Sequence, residues 1–194
     1  MKYLVVGLGN IGEEYANTRH NIGFMVLDTL VKASQIPTDK VGVSFKSDKL
    51  GARAEYRFKS RTFILIKPST YMNLSGKAVN YWMQQEKIPL ENVLIVTDDI
   101  ALPLGVLRLR AKGSDGGHNG LSSITEVLGR SDFARLRFGI GDNFPRGKQV
   151  DYVLGQWTGE EMKMLPERID KEIEIIKSFG TIGLSMTMTN YNNK

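Results

Sequence analysis

Residues 1–12 read Met1-Lys2-Tyr3-Leu4-Val5-Val6-Gly7-Leu8-Gly9-Asn10-Ile11-Gly12, an apolar run that leads into a glycine-rich turn. The run Tyr3–Gly7 predicts a buried β-strand, and the glycines predict a close turn at its carboxyl end. Apolar residues then recur at helical spacing from Asn21 to about Gln35. A strand, a turn and a helix in this order indicate an α/β fold.

The glycine-rich turn, Gly7–Gly12, also matches the dinucleotide-binding pattern G-x-G-x-x-G. That pattern opens a helix directly and is followed about 20 residues later by an acidic residue. Here the following segment, Glu13–His20, is polar and lacks a helical period, and Val31–Gln35 contains no acid. The sequence therefore favours a turn that lets the backbone pass close to another segment. A nicotinamide-dependent oxidoreductase is the alternative.

Periodic patterns predict a series of further strands and helices. Strands are predicted at Val43–Phe45, Leu50–Phe58, Thr62–Lys67, Val93–Val96, Val106–Arg110 and Phe133–Ile140. Helices are predicted at Leu121–Leu128 and at Ser75–Glu86, where Ser75 is a candidate cap. Thr158 and Glu161 form a capping box that predicts a terminal helix. Because short strands also follow one another directly, we expect one globular α/β domain over residues 1–194, with a mixed β-sheet flanked by helices.

The composition indicates a folded protein with a substantial core. Hydrophobic residues make up 41% of the 194 residues, enough for a substantial core. The absence of cysteine excludes a disulfide scaffold, a thiolate nucleophile and cysteine-based metal sites, and it fits a cytoplasmic location. No run approaches the roughly 20 apolar residues of a membrane span, so we expect a soluble protein with no membrane partner.

Positive charge is concentrated in one segment of the chain. Residues 101–150 contain eight basic and four acidic residues, so four of the five net positive charges lie there. The basic residues are Arg108, Arg110, Lys112, Arg130, Arg135, Arg137, Arg146 and Lys148. This distribution indicates a polyanionic partner such as a nucleic acid. By contrast, the predicted terminal helix has an excess of acidic residues and is typical of a solvated surface.

Two histidines occur in the chain, and each precedes an asparagine. His20 ends a polar loop at the predicted start of a helix. His118 lies in the segment Gly113-Ser114-Asp115-Gly116-Gly117-His118-Asn119-Gly120, called the glycine loop below. Its four glycines predict a closely approachable backbone, and free N–H groups at the start of the next helix would suit an anion such as phosphate. The alternative for either histidine is a purely structural position.

Two further candidate sites lie where predicted strands end. Asn73 follows a strand and precedes a helix, where turn or cap chemistry is the alternative interpretation. Asp98 and Asp99 end a buried strand, which is a usual place for a catalytic or metal-binding carboxylate in an open α/β sheet. Solvated turn residues are the alternative for this pair.

These side chains favour one class of chemistry. The chain contains neither H-E-x-x-H nor another metal-ligand spacing, and it lacks the G-x-S-x-G pattern of serine hydrolases. A histidine oriented by an aspartate suits general-base activation of water, because imidazole titrates near neutral pH. Asparagine amides can place the water and hold a developing oxyanion. An activated ester is a fitting substrate, since it needs no metal to make it electrophilic.

The loops taken together resemble the bacterial peptidyl-tRNA hydrolase family. The matching segments are Gly7–Gly12 with Tyr15, Thr18–Phe24, Lys67–Gly76, Asp98-Asp99 with Leu102-Pro103 and Gly105, Gly113–Leu121, Phe133 with Arg135–Gly141, and Asp151–Leu154. They span about residues 1–155 and follow the order of the family. Two features depart from it: Ile11 replaces a usual proline, and the loop Asp142–Gly147 is longer than the usual short turn.

The resemblance implies an enzyme that hydrolyses the ester between a peptide and the terminal ribose of tRNA and so recycles tRNA from aborted translation. It implies a twisted mixed sheet in a single α/β domain that acts as a monomer without metal or other cofactor. By match, His20 is the base on water and Asp98 orients it. The implied substrate-binding residues are Asn10, Tyr15, Met72, Asn73, His118 and Asn119, and the implied tRNA-binding residues are Arg108, Arg110 and Arg137.

A non-catalytic RNA-binding protein is the second alternative, because organellar splicing factors resemble this family without needing its hydrolysis. Retention of His20, Asp98 and all three asparagines in the matching motifs favours the enzyme.

Overall fold

The computed structural model describes residues 1–34 and 43–194. Within them the chain forms seven β-strands in one sheet and six α-helices. In chain order these are β1 (Lys2–Gly7), α1 (Ile22–Ala33), β2 (Lys46–Asp48), β3 (Gly51–Phe58), β4 (Arg61–Pro68), α2 (Ser75–Glu86), β5 (Val93–Asp99), β6 (Leu107–Arg110), α3 (Asn119–Leu128), β7 (Ala134–Gly139), α4 (Gln149–Val153), α5 (Gly159–Ile182) and α6 (Leu184–Tyr191). Short 3₁₀-helices lie at Glu13–Tyr15, Arg19–Asn21, Met72–Leu74 and Leu90–Asn92.

The strand order across the sheet is β2-β3-β4-β1-β5-β7-β6. The four central strands β4, β1, β5 and β7 run parallel. The outer strands β2, β3 and β6 join them by antiparallel pairing. The predicted α/β domain with a mixed sheet is therefore confirmed.

The central strand β1 faces a hydrophobic core on each side of the sheet. Tyr3 and Val5 belong to one core cluster, together with buried residues of α1 and α5. Leu4 and Val6 belong to the other, together with buried residues of α2 and α3. Because successive side chains of a strand point to opposite faces, this short run holds both helical layers against the sheet.

The glycine-rich turn after β1 packs against the start of α1. A Cβ on Gly7 would lie 2.3 Å from the carbonyl oxygen of Gly23, and a Cβ on Gly23 would lie 2.4 Å from the backbone nitrogen of Leu8. The predicted close passage of the backbone is thus confirmed. In the described structure α1 begins only at Ile22, and Gly12 is followed by a single turn of 3₁₀-helix rather than by the α-helix that a dinucleotide-binding turn opens.

Two local predictions are wrong. No strand forms at Val43–Phe45, and the edge strand is instead the polar segment Lys46–Asp48. Val43 and Phe45 pack against the core, while the turn between β2 and β3 sets the pairing of Asp48 with Gly51. Ser75 is the first residue of α2 rather than its cap, and its hydroxyl donates to the Met72 carbonyl oxygen over 2.7 Å instead of accepting an N–H group of the helix.

The end of α1 and the start of α5 were both predicted from the sequence. The predicted end of α1 near Gln35 lies outside the described residues. The capping box of α5 is confirmed: Thr158 Oγ1 accepts the N–H of Glu161 over 3.2 Å, and the Glu161 carboxylate accepts the N–H of Thr158 over 2.7 Å. Among the described helices, none is long and apolar enough to cross a membrane.

Candidate active site

His20 and Asp98 are in direct contact. His20 lies on the 3₁₀-helix that connects the glycine-rich turn to α1, and Asp98 lies at the carboxyl end of β5, next to β1 in the sheet. Nδ1 of His20 is 2.9 and 3.0 Å from the two carboxylate oxygens of Asp98. Both residues are buried, with exposed fractions of 7% and 3%.

The electrostatics of this pair favour an ionised Asp98. Burial by itself would raise the pKa of Asp98, but charge and hydrogen bonds from His20 and His118 hold it well below its usual 3.8. Burial by itself would lower the pKa of His20, but the Asp98 carboxylate outweighs burial and raises it above 6.5. A carboxylate accepts only, so neutral His20 donates from Nδ1 and keeps the lone pair on Nε2.

The tautomer of His118 is set by α3. Its Nδ1 accepts the backbone N–H groups of Gly120 and Leu121 over 3.1 and 3.3 Å, so the side chain is the N-cap of α3. Nε2 therefore carries the proton, and it lies 2.9 Å from Asp98 Oδ1 and 2.8 Å from the Thr97 hydroxyl. The two amides that the sequence predicted to be free for an anion are thus occupied by the His118 ring.

The side chains of His20, Asp98 and His118 are close enough to hold a metal ion, since one ligand atom from each lies within 4.8 Å of the others. The hydrogen bonds of His118 oppose such a role. A metal on Nε2 would move the ring proton to Nδ1, which faces two backbone N–H donors. Metal binding would therefore break the cap of α3, and the cluster suits a hydrogen-bond relay better.

Asn10 is held by two neighbouring segments. The side chain of Asn21 accepts the backbone N–H of Asn10 and donates to its carbonyl oxygen, both over 2.8 Å. The side-chain oxygen of Asn10 accepts the backbone N–H of Met72 over 2.8 Å. Within residues 1–34 and 43–194, no partner contacts Nδ2 of Asn10, so this N–H₂ group is available to a ligand.

A cavity of about 460 Å³ adjoins the two histidines. Of the predicted site residues, His20, Asp98, His118, Asn119 and Arg137 line it. The other lining residues are Asp99, Ile100, Ala101, Ser114, Asp115, Gly116, Gly117, Leu121, Gln149, Val150 and Val153. The cavity thus joins the glycine loop, the end of β5 and α4.

The other predicted site residues lie outside this cavity lining. Met72 is buried and contacts Asn10, whereas Asn73 beside it is exposed. Tyr15 is half-buried on the first 3₁₀-helix. In the described part of the chain, the side-chain amides of Asn73 and Asn119 have no hydrogen-bond partner, which leaves both free to bind a ligand.

The model of the family described as peptidyl-tRNA hydrolase matches residues 4–194. Peptidyl-tRNA hydrolases of Phocaeicola vulgatus and Bacteroides fragilis are 61% and 57% identical to the chain over 194 residues, which cover the whole of each protein. The chain belongs to the peptidyl-tRNA hydrolase family. The crystal structure of peptidyl-tRNA hydrolase from Acinetobacter baumannii is similar, with a TM-score of 0.89 at 33% identity over 98% of this chain and 94% of that one.

Membership in the peptidyl-tRNA hydrolase family confirms the resemblance drawn from the motifs, and the matched region extends beyond the predicted 1–155 into α5 and α6.

Four arginines share one face of the β6–β7 ladder. Arg108 pairs with Arg137 and Arg110 pairs with Arg135, and residues two apart on a strand face the same way. Arg137 forms an ion pair with Asp99 at 3.3 Å, and Arg110 is exposed. Arg135 differs from the others because it is fully buried. Arg108 and Arg137 are half-buried, so Arg135 is the one fully buried side chain of these four in this family member.

Several contacts that hold the site of this peptidyl-tRNA hydrolase family member cannot be predicted from the sequence motifs. Asn21 belongs to one of the two His-Asn pairs in the sequence. Only the tertiary structure shows the two hydrogen bonds from its side chain to the backbone of Asn10, called the Asn21 clamp below. Arg19 is buried, forms a bidentate ion pair with Glu161 at 3.0–3.2 Å and donates to the Tyr152 carbonyl oxygen over 3.0 Å. It thereby ties the segment of His20 to α4 and α5. No pattern in the sequence predicts that an arginine next to a candidate catalytic residue is buried.

Proposed function

We propose that the chain hydrolyses the ester between a peptide and the terminal ribose of tRNA, with His20 as the general base and Asp98 as its orienting partner. The observation that carries this proposal is the hydrogen bond from Nδ1 of His20 to Asp98, which leaves Nε2 unprotonated in a member of the peptidyl-tRNA hydrolase family. Hydrolysis of the ester releases free tRNA, which is the product that recycling of tRNA from aborted translation requires.

The proposed reaction moves one proton twice. Nε2 of His20 takes a proton from a water molecule while the water oxygen bonds to the ester carbonyl carbon. The tetrahedral oxyanion then expels the ribose oxygen, which takes the proton back from the imidazolium. The products are a peptide with a free carboxyl group and a tRNA with a free ribose hydroxyl. Asp98 stays ionised and stabilises the imidazolium that forms between the two transfers.

Amide groups around the base are proposed to bind the peptide and the reacting ester. Nδ2 of Asn10 is free while its oxygen is held by Met72, so Asn10 acts as a donor toward a carbonyl oxygen or oxyanion. The free amides of Asn73 and Asn119 can bind the peptide backbone. Met72 forms an apolar wall beside Asn10, and Tyr15 flanks the same loop.

Arg108, Arg110 and Arg137 are proposed to bind tRNA phosphates. Arginines placed opposite one another across two strands repel each other, so this arrangement costs stability in the free protein. A phosphate group removes that cost and gives salt-sensitive affinity with little reading of sequence.

The proposed mechanism uses no metal and no organic cofactor, because the His118 tautomer suits hydrogen bonding to Asp98 and the ester is already electrophilic. We also propose that the enzyme acts as a monomer in the cytoplasm, where its substrate is produced.

The decisive experiment measures hydrolysis of N-acetyl-aminoacyl-tRNA, with free aminoacyl-tRNA as the control substrate. We expect turnover of the N-blocked substrate only. His20→Ala should abolish that turnover and leave tRNA binding nearly unchanged. Wild-type protein that binds tRNA without turnover would favour the non-catalytic RNA-binding alternative, and saturable binding of NAD(P) would favour the oxidoreductase. Full activity of His20→Ala would remove His20 as the base.

A further inference from the structure

Arg135 is among the largest fully buried side chains of the described structure, and every hydrogen bond that its guanidinium makes there goes to a backbone carbonyl oxygen. Nη1 donates to Gly113 over 3.0 Å and to Ser114 over 3.4 Å. Nε and Nη2 donate to Phe133 over 3.3 and 3.2 Å, and Nη2 also donates to Ser131. The guanidinium therefore joins the start of the glycine loop to the segment that precedes β7.

The charge of Arg135 is not neutralised by an acidic group. Within residues 1–34 and 43–194, no carboxylate lies in ion-pair distance of it. Its guanidinium packs 4.0 Å from the ring centroid of Phe133, which adds a cation–π contact. Burial and the like charge of Arg137 lower its pKa to about 10, so it remains charged at neutral pH. Burying a charge is costly unless the group is hydrogen-bonded, and here the backbone carbonyl oxygens compensate the burial of the guanidinium.

The far end of the glycine loop is held by a separate set of contacts. The backbone N–H of His118 donates to the Asp115 carbonyl oxygen over 2.9 Å, and the N–H of Gly117 donates to the Asp115 side chain over 2.8 Å. His118 then caps α3 and donates to Asp98. The loop is thus fixed at its start by Arg135 and at its end by His118, with one short turn between them.

We propose that Arg135 is a positioning residue that holds the start of the glycine loop, so that His118 and Asn119 at its end face Asp98 and the cavity. The inference rests on the proposed function, because it assigns a purpose to the placement of those two side chains. It also separates Arg135 from Arg108, Arg110 and Arg137: the charge of Arg135 serves the loop, and the other three face the tRNA.

Two variants and three measurements test this role. Arg135→Met keeps an unbranched apolar stem and removes every donor, while Arg135→Lys keeps the charge and fewer donors. Hydrogen exchange of the amides at 113–120 reports the order of the loop. Turnover of N-acetyl-aminoacyl-tRNA separates kcat from KM, and tRNA binding at several salt concentrations reports phosphate contacts.

We expect Arg135→Met to speed exchange in the loop at least tenfold and to lower kcat by about 10- to 100-fold, the scale of an ångström-sized misplacement. Arg135→Lys should show the same changes to a smaller extent. The salt dependence of tRNA binding should stay as in the wild type for both. Arg137→Ala, the comparison variant, should reduce that salt slope by about 1. Arg130→Met removes a nearby exposed arginine and should leave loop exchange unchanged.

Two results would overturn the proposal. A reduced salt slope in Arg135→Met would make Arg135 a phosphate contact. Unchanged loop exchange and unchanged kcat would leave it a purely structural part of β7. If Arg135→Met does not fold, the same outcomes apply to Arg135→Lys. Loop exchange is measured without substrate, so it tests the anchoring even if the wild-type protein proves to lack hydrolytic activity.

Discussion

His118 donates from Nε2 to the carboxylate of Asp98 over 2.9 Å, while Nδ1 of the same ring accepts the first free N–H groups of α3. One side chain therefore connects the start of a helix to the acid that orients His20. The two functions of the ring can be separated by substitution.

His118→Ala should lose both functions, and His118→Asn should lose only one. Asparagine is a good N-cap residue, so His118→Asn should restore most of the roughly 0.5–2 kcal/mol of unfolding free energy lost in His118→Ala. Neither variant donates to Asp98, so kcat should fall in both by a similar factor of about 10 or more. Urea unfolding and turnover of N-acetyl-aminoacyl-tRNA measure the two effects. Wild-type kcat in His118→Asn would show that donation to Asp98 is unimportant.

The pH profile of kcat/KM should report the ionisation of His20. A base must be neutral, and Asp98 raises the pKa of His20, so activity should fall toward acid pH with a midpoint above 6.5. Asp98→Asn removes the charge that raises this pKa and leaves burial, which lowers it. Its midpoint should move below 6.5, with a loss of about 10² to 10⁴ in kcat. NMR titration of the His20 ring is the independent measurement, and an unmoved midpoint in Asp98→Asn would contradict the coupling.

Asn21→Ala should impair hydrolysis although Asn21 is not among the proposed substrate-binding residues. Loss of its two hydrogen bonds frees the backbone of Asn10 and leaves the buried N–H and C=O groups of Asn10 unpaired. We expect this to lower the unfolding free energy by about 1–3 kcal/mol. We expect kcat/KM to fall at least tenfold. Asn92→Ala is the matched control, because Asn92 is only half-buried and its side chain also donates to a backbone carbonyl oxygen, that of Lys2. Equal activities of the two variants would rule out a role for the Asn21 clamp.

Arg19→Met should destabilise the fold strongly because it leaves Glu161 buried without its cation. The expected loss is about 3–5 kcal/mol of unfolding free energy. The double variant Arg19→Met, Glu161→Gln should recover part of that loss, since the unpaired charge is gone. Calorimetry or urea unfolding measures the difference. A double variant less stable than Arg19→Met would mean that the charge of Glu161 is compensated elsewhere.

Glu172→Gln should stabilise the protein at neutral and higher pH. Glu172 is fully buried in α5, no donor contacts its carboxylate within the described residues, and burial raises its pKa well above 4.5. The unfolded chain releases this proton first, so the wild type should lose stability as pH rises from about 4.5 toward the raised pKa.

The glutamine variant should lack that pH dependence and exceed the wild type by about 1–3 kcal/mol at pH 8. Glu174→Gln, an exposed neighbour on α5, is the control and should differ little from the wild type. Urea unfolding at pH 4.5 and pH 8 measures both variants. A similar gain at both pH values would show that the charge of Glu172 is not the cause.

Periodicity and local chemistry in the sequence determined most of the architecture. Hydrophobic runs at strand and helix spacing report burial directly, so the central strands, α2, α3 and the capping box of α5 follow from the residues themselves. The prediction of a strand at Val43–Phe45 is wrong because the apolar side chains of Val43 and Phe45 pack against the core, whereas a turn fixes the strand pairing at the neighbouring Lys46–Asp48.

The sequence also determined which loops carry the candidate site, since the motifs of His20, Asn73, Asp98 and His118 stand out by residue type. Only the tertiary structure decided how the side chains of His20, Asp98 and His118 meet. The tautomer of His118, the clamp of Asn21 on Asn10 and the burial of Arg135 depend on hydrogen bonds between segments far apart in the chain. A sequence records the charge of Arg135 but not its hydrogen-bond partners, and those partners are the reason for proposing that Arg135 supports the glycine loop.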